Sequence, residues 1–137
     1  MTPAALASVC YCAALRKATR RVTAIYDRAL DKHGISLAQY SLLRTIRRRG
    51  PISLTELAAV MELDRSTIGR NVRVVEKAGW VRPADSLDQR EAAIALTENG
   101  AELLLRAYAD WAATQDAIAA KLGAGGAEAL LEVLAGL

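Results

Sequence analysis

The sequence predicts a mainly α-helical fold with one small β-hairpin, and three observations lead there. Apolar residues recur at helical spacing over most of the chain, and two segments that start with serine carry helix-capping signals. A single pair of short β-prone runs, Trp80–Arg82 and Ala92–Leu96, frames a polar stretch. Composition agrees: of 137 residues 53% are apolar, yet Phe is absent and aromatics make up only 4%. That favours close packing of Ala- and Leu-rich helices over a β-sandwich. The length suits one domain, 1–137.

Taken in order, Thr2 as N-cap and Pro3 at the first helical position open a long helix. Its apolar stripe is Ala18, Val22, Ile25 and Ala29, and it ends near His33-Gly34. Ser36 and Gln39 form an S-x-x-Q capping box for a helix over Leu37–Arg49. Tyr40, Leu43, Ile46 and Arg47 give its inward spacing, Gly50-Pro51 ends it, and Ile52 supplies one short strand. Ser53 and Glu56 make a second box, followed by Leu54, Leu57, Ala58 and Met61 on one face. Glu62-Leu63 is a tight break and Asp64 the N-cap of the next helix. That helix buries Ile68, Val72 and Val75 and stops at Gly79, a left-handed C-cap.

Two short helices joined by so tight a turn are a helix-turn-helix. The hairpin that follows, with Pro83–Glu91 as its polar loop, is a wing. Thr97 then caps a long helix over Glu98–Leu122, striped by Leu103, Leu104, Ala107, Tyr108, Trp111, Gln115, Ile118 and Leu122. Gly123–Gly126 breaks it, and Ala127–Leu134 forms a last short helix. The winged part, about 36–97, is a marginal core alone, whereas the flanking helices (about 3–33 and 98–137) carry more apolar surface than it can cover. The expectation is a two-fold homodimer joined through those helices.

The second helix of the helix-turn-helix has an informative outer face. At about 100° per residue, Ser66, Arg70, Arg73 and Lys77 share one stripe opposite Ile68, with Thr67 and Asn71 beside it. Small hydroxyls come first and Arg, Asn and Arg follow. A helix that reads a major groove needs that order, because its first turns reach base edges while later cations meet phosphates. Arg can bond guanine bidentately and Asn can do the same to adenine. The plain alternative is a solvated charged face, and the hairpin directly behind the helix weighs against it. In an extended wing loop Asp88 and Arg90 point to opposite sides, so Asp88 can tie the loop back while Arg90 reaches outward, towards a minor groove.

The run L-D-R-S-T-I-G-R-N-V-R-V-V-E-K-A-G-W-V, then D-x-R, then A-L-T-x-x-G, resembles the MarR family of winged helix-turn-helix transcription regulators. The resemblance implies a bacterial, cytoplasmic, homodimeric regulator that binds a pseudo-palindromic duplex, a repressor relieved by a small aromatic ligand. It places Ser66, Thr67, Arg70, Asn71 and Arg73 in the major groove; Arg65 and Lys77, cations of the same helix, complete the expected DNA-binding set. Arg90 goes to the minor groove, and Asp88 braces the wing.

Other features are read more plainly. A ligand pocket could form from Tyr26, Tyr40, Arg44, Tyr108 and Trp111, residues that more often are core with a satisfied hydroxyl. Cys10 and Cys12, two apart on a helix, cannot pair with each other. The plain reading makes them small packing residues; the sharper one makes Cys12, or Cys10, a thiol that senses oxidation, as in one branch of the resembled family. Against that branch, Arg16 and Ala13 stand where its pattern has aromatics. His33, at a helix end before glycine, is expected to meet terminal carbonyls.

Net charge is +3 with a pI near 9.1, compatible with duplex DNA. Dense cationic groups lie at Arg47–Arg49 and at Arg16, Lys17, Arg20 and Arg21. There is no membrane-spanning run and no signal-peptide pattern, so a cytoplasmic chain with reduced thiols is expected. No phosphate loop, metal-ligand cluster or nucleophile–base set is present, so neither an enzyme nor a metal or cofactor is expected. The remaining alternative is a winged-helix protein-interaction module, which has no use for the charge order of 66–77.

Overall fold

The computed structural model describes residues 2–4, 8–85 and 91–137. Helices α1 (Tyr11–Leu30), α2 (Leu37–Arg49), α3 (Leu54–Met61), α4 (Arg65–Lys77), α5 (Glu98–Leu122) and α6 (Gly126–Ala135) surround three short strands, β1 (Ile52–Ser53), β2 (Val81–Ala84) and β3 (Ala93–Leu96). The strands form one antiparallel sheet in the order β1-β3-β2, with Ile52 opposite Ile94 and Val81 opposite Leu96. A mainly helical fold with a small three-stranded wing is thus what this sequence makes.

The caps explain most boundaries. At α2 the box closes both ways: Ser36 Oγ accepts from the Gln39 N–H at 3.2 Å, and the Gln39 side chain accepts from the Ser36 N–H at 3.0 Å. At α3, Ser53 Oγ accepts from the Glu56 N–H at 3.1 Å. Glu62 turns the chain into α4 with φ +52, the sole non-glycine residue in the left-handed region among those described. Asp64 takes the N-cap position of α4 without a side-chain hydrogen bond, so the carboxylate contributes through charge near the helix start alone. At the other end Gly79 has φ +85, the Gly79 N–H donates to Glu76 O (2.9 Å) and the Trp80 N–H to Val75 O (3.0 Å). This is the paired closure that needs a residue free to go left-handed, hence glycine.

Among the described residues the core runs from Leu30 to Ala107, and α6 buries none of its side chains. Leu30, Leu43, Ile46, Ile52, Leu57, Ile68, Val75, Leu103 and Leu104 are almost completely buried together. The inner faces expected for α3 and α4 are buried or half-buried; in α2, Tyr40, Leu43 and Ile46 are buried, joined by Leu42, while Arg47 is exposed.

Several expectations need correction. The long first helix does not run unbroken from Pro3: Pro3 and Ala4 are helical, Cys10 is extended, and α1 starts at Tyr11. Its buried residues are Tyr26 and Leu30, whereas Ala18 is exposed and Val22, Ile25 and Ala29 are only half-buried. Pro83 lies within β2 and not in the loop. That strand is at the sheet edge, where a missing N–H costs no ladder bond. On α5, Tyr108, Gln115 and Leu122 are exposed, while Leu103, Leu104 and Ala107 carry the packing.

His33 meets a side chain across the fold, not terminal carbonyls. Its Nε2 donates to Asp110 Oδ2 of α5 at 2.7 Å, and Lys32 Nζ stands 3.2 Å from the other oxygen. The end of α1 is thereby clamped to α5, as Tyr26 Oη also is through its hydrogen bond to Gln115. The His33 bond and then Lys32 hold the Asp110 carboxyl below its ordinary value of 3.8. A carboxylate with a lowered folded-state pKa contributes stability above its unfolded value and loses it as pH falls through the folded one. The isosteric Asp110→Asn should therefore melt below wild type well above pH 3.8, and the gap should close on acidification beneath that value. A gap independent of pH would show that the charge plays no part.

Candidate nucleic-acid interface

The outward face of α4 is built by burying its other side. Ile68, Val72 and Val75 fix the helix against the core, and the 3.6-residue repeat then turns Arg65, Ser66, Arg70, Asn71, Arg73 and Lys77 to solvent, with Thr67 half-buried at the edge. Among the described residues no ion pair ties these four cations to a carboxylate. Arg70 is nonetheless held: its Nη2 donates to Thr67 Oγ1, one turn earlier, at 3.3 Å. Such a bond limits where the guanidinium fork can point while leaving its other donors for a partner. An open groove of about 540 Å³ runs beside the helix, lined by Leu54, Arg65, Ser66, Gly69, Arg70 and Arg73. A smaller one of about 180 Å³ lies where Asn71 and Val74 approach Ser36, Ala38, Gln39 and Leu42 at the start of α2.

A face with exposed cations, an amide and hydroxyls, and no ion pair to a carboxylate among the described residues, can donate to phosphate oxygens and to base acceptors. Of the nine residues expected at this interface, seven lie on α4, six of them exposed and Thr67 half-buried. Asp88 and Arg90 lie outside the described residues. The strands that carry their loop stand directly after α4, since Trp80 belongs both to its C-terminal closure and to the entry into β2.

Four of the five pocket candidates come together. Trp111 lies 5.8 Å from the Tyr40 ring and nearly parallel to it, 5.9 Å from Tyr108, and under the Arg44 guanidinium at 4.2 Å. Tyr40 is buried, which pushes its hydroxyl above the usual value, opposed in part by the charges of Arg44 and Arg47. Tyr108 is 54% exposed and opens the cluster to solvent. Tyr26 makes its separate contact with Gln115, one turn further along α5. Both cysteines are free and exposed in the single chain. Cys10 caps α1, its Sγ accepting from the Ala13 N–H at 3.5 Å. Among the described residues no three of His, Cys, Asp and Glu stand together as a metal site, and no helix is long and apolar enough to cross a membrane.

The profile of the MarR family matches residues 35–91, which span α2, the helix-turn-helix and β2. Over nearly its whole length the chain is also similar to the Mycobacterium tuberculosis transcriptional regulator MosR, solved in complex with DNA. Identity is 31%, 93% of this chain and 92% of that one are covered, and the TM-score is 0.84. The chain belongs to the MarR family.

Other similarities cover part of the chain. The HTH-type transcriptional regulator PecS of Dickeya dadantii is 35% identical over 63% of this chain and 57% of its own length. The HTH-type transcriptional repressor NicR of Pseudomonas putida is 34% identical over 66% of this chain and 58% of its own. The chain thus spans less than two thirds of either curated relative. Within the MarR-family fold, two features escaped sequence reasoning. The His33–Asp110 clamp joins residues 77 positions apart, and no local spacing announces it. The groove beside Gly69 had a signal, a glycine inside an otherwise strong helix, that was open to reading.

Proposed function

We propose that this protein is a cytoplasmic, dimeric transcriptional regulator that binds a specific duplex DNA sequence and acts as a repressor. The observation that carries this reading is the solvent-facing guanidinium-and-hydroxyl side of α4, which no ion pair engages among the described residues, in a chain 93% of which follows a regulator solved on DNA. In this reading Thr67, Arg70 and Asn71 read bases, Arg65, Ser66, Arg73 and Lys77 meet the backbone, and the wing brings Arg90 to a minor groove with Asp88 bracing it. Apolar side chains left open at both chain ends support the dimer: Tyr11 and Leu15 on α1, Leu105 and Tyr108 on α5, Leu131 and Val133 on α6. The Tyr40–Arg44–Tyr108–Trp111 cluster, with stacked rings and a cation, supports relief of repression by a small aromatic anion.

Selecting duplexes from a random library tests the reading. Bound sequences should contain two inverted half-sites, centres about 34–36 Å apart, as a two-fold pair of recognition helices requires. Log affinity for the selected duplex should fall linearly with log salt, at about −0.9 per phosphate neutralised. A folded protein that retains no duplex, or binds one without salt dependence, would instead be an interaction module.

A further inference from the structure

Gly69 sits in the middle of α4, where a glycine has no evident intramolecular reason to be. Glycine is among the poorest helix formers, and only a tight approach or a left-handed turn ordinarily justifies one inside a helix. Neither applies. Gly69 is in regular helix, and a Cβ built on it would meet nothing within 4 Å. By contrast, the same construction at Gly100 runs into backbone. The space at Gly69 is therefore open to whatever approaches this face from outside the chain.

What surrounds the gap indicates the occupant. Arg65 and Arg73 stand four residues before and after Gly69, so all three lie along one line of the helix, within about 40° of each other in turn. Both arginines are exposed, and Ser66 adds a hydroxyl beside them on the wall of the same groove of about 540 Å³. A notch with no side chain, flanked by two guanidinium forks and a hydroxyl donor, fits a tetrahedral anion held against the helix surface. We infer that this notch seats a phosphodiester of the bound duplex, which lets the sugar-phosphate backbone approach closer than any other residue at position 69 would permit. This rests on the DNA-binding reading above and adds to it a fixed point of register: the phosphate between Arg65 and Arg73 sets how deep the base-reading side of α4 enters the groove.

The experiment compares wild type with Gly69→Ala on the duplex that wild type selects, reading thermal midpoint, affinity, salt slope and base preference. The variant should melt at or above the wild-type temperature, because alanine is the better helix former and fills open space. Its affinity should nevertheless drop by roughly tenfold or more, its salt slope should become shallower by about one per lost phosphate contact in each half-site, and its selected sequence should stay the same. Replacing phosphates one at a time by neutral methylphosphonates should locate one position per half-site that matters to wild type and no longer to the variant. Wild-type affinity and slope in Gly69→Ala overturn the inference while leaving the DNA reading intact. So does a lowered melting temperature, which would mean that the fold itself demands the glycine, or a changed base preference, which would put a base edge in the notch. A wild-type protein that binds no duplex removes both.

Discussion

Gly100→Ala lowers the stability of the fold by about 1–3 kcal/mol, the usual cost of forcing extra atoms into a closed site, read as a lower urea midpoint at unchanged slope. The cause is local and backbone-bound. A Cβ on Gly100 would fall 2.1 Å from the carbonyl oxygen of Trp80, 3.0 Å from its carbon and 3.2 Å from its Cα. None of these atoms belongs to a side chain that could swing away. The Trp80 oxygen is also engaged, accepting from the Thr97 N–H at 3.0 Å. Thr97 Oγ1 in turn donates to Gly79 O at 2.6 Å and accepts from the Gly100 N–H at 3.1 Å. Relief of the clash therefore pulls on the closure of α4, the entry into β2 and the cap of α5 at once. Gly69→Ala is the internal control, since it adds the same methyl where nothing stands within 4 Å. An unchanged midpoint for Gly100→Ala would mean that α5 can slide off Trp80 freely, and the tight junction described here would be wrong.

That junction illustrates what sequence could and could not supply. The A-L-T-x-x-G stretch is legible as the end of a strand, a threonine cap and a glycine, because each part acts within four residues. That the glycine is required by Trp80 involves a partner twenty positions away, which no capping rule encodes. The same division holds elsewhere. Ser36–Gln39, Ser53–Glu56, Gly79 and Thr97 set helix ends through bonds spanning a turn or less, so their boundaries were readable. On α1 the expected stripe Ala18, Val22, Ile25 and Ala29 lies beside the buried pair Tyr26 and Leu30, and packing against α5 and α2, remote in sequence, decides between them. On α4, burial of Ile68, Val72 and Val75 dictates the outward side, so the exposure of Ser66, Arg70, Asn71, Arg73 and Lys77, with Thr67 at its edge, was readable from periodicity. The groove at Gly69 needs α3 in place beside α4, since Leu54 forms part of its wall.

On the duplex that wild type selects, Arg70→Ala loses about 1–3 kcal/mol of affinity, roughly 5- to 150-fold, and no longer prefers one base at a single position in each half-site. Arg70 is singled out because it lies near the centre of the exposed face and its fork is oriented by the 3.3 Å bond to Thr67 Oγ1. Orientation before binding is what a bidentate contact to guanine needs, since the fork then loses little freedom on docking. Arg70→Lys should not restore the preference: an ammonium keeps the charge but cannot present two parallel donors. Lys77→Ala, at the far end of the same stripe, supplies the contrast. It should weaken all duplexes alike and make the salt slope shallower, as loss of a phosphate contact does. Should Arg70→Ala and Lys77→Ala prove indistinguishable, with uniform weakening and no relaxed position, Arg70 contacts only the backbone. The base-reading role would then fall to Thr67 and to Asn71, which faces Ser36 and Gln39 across the smaller groove.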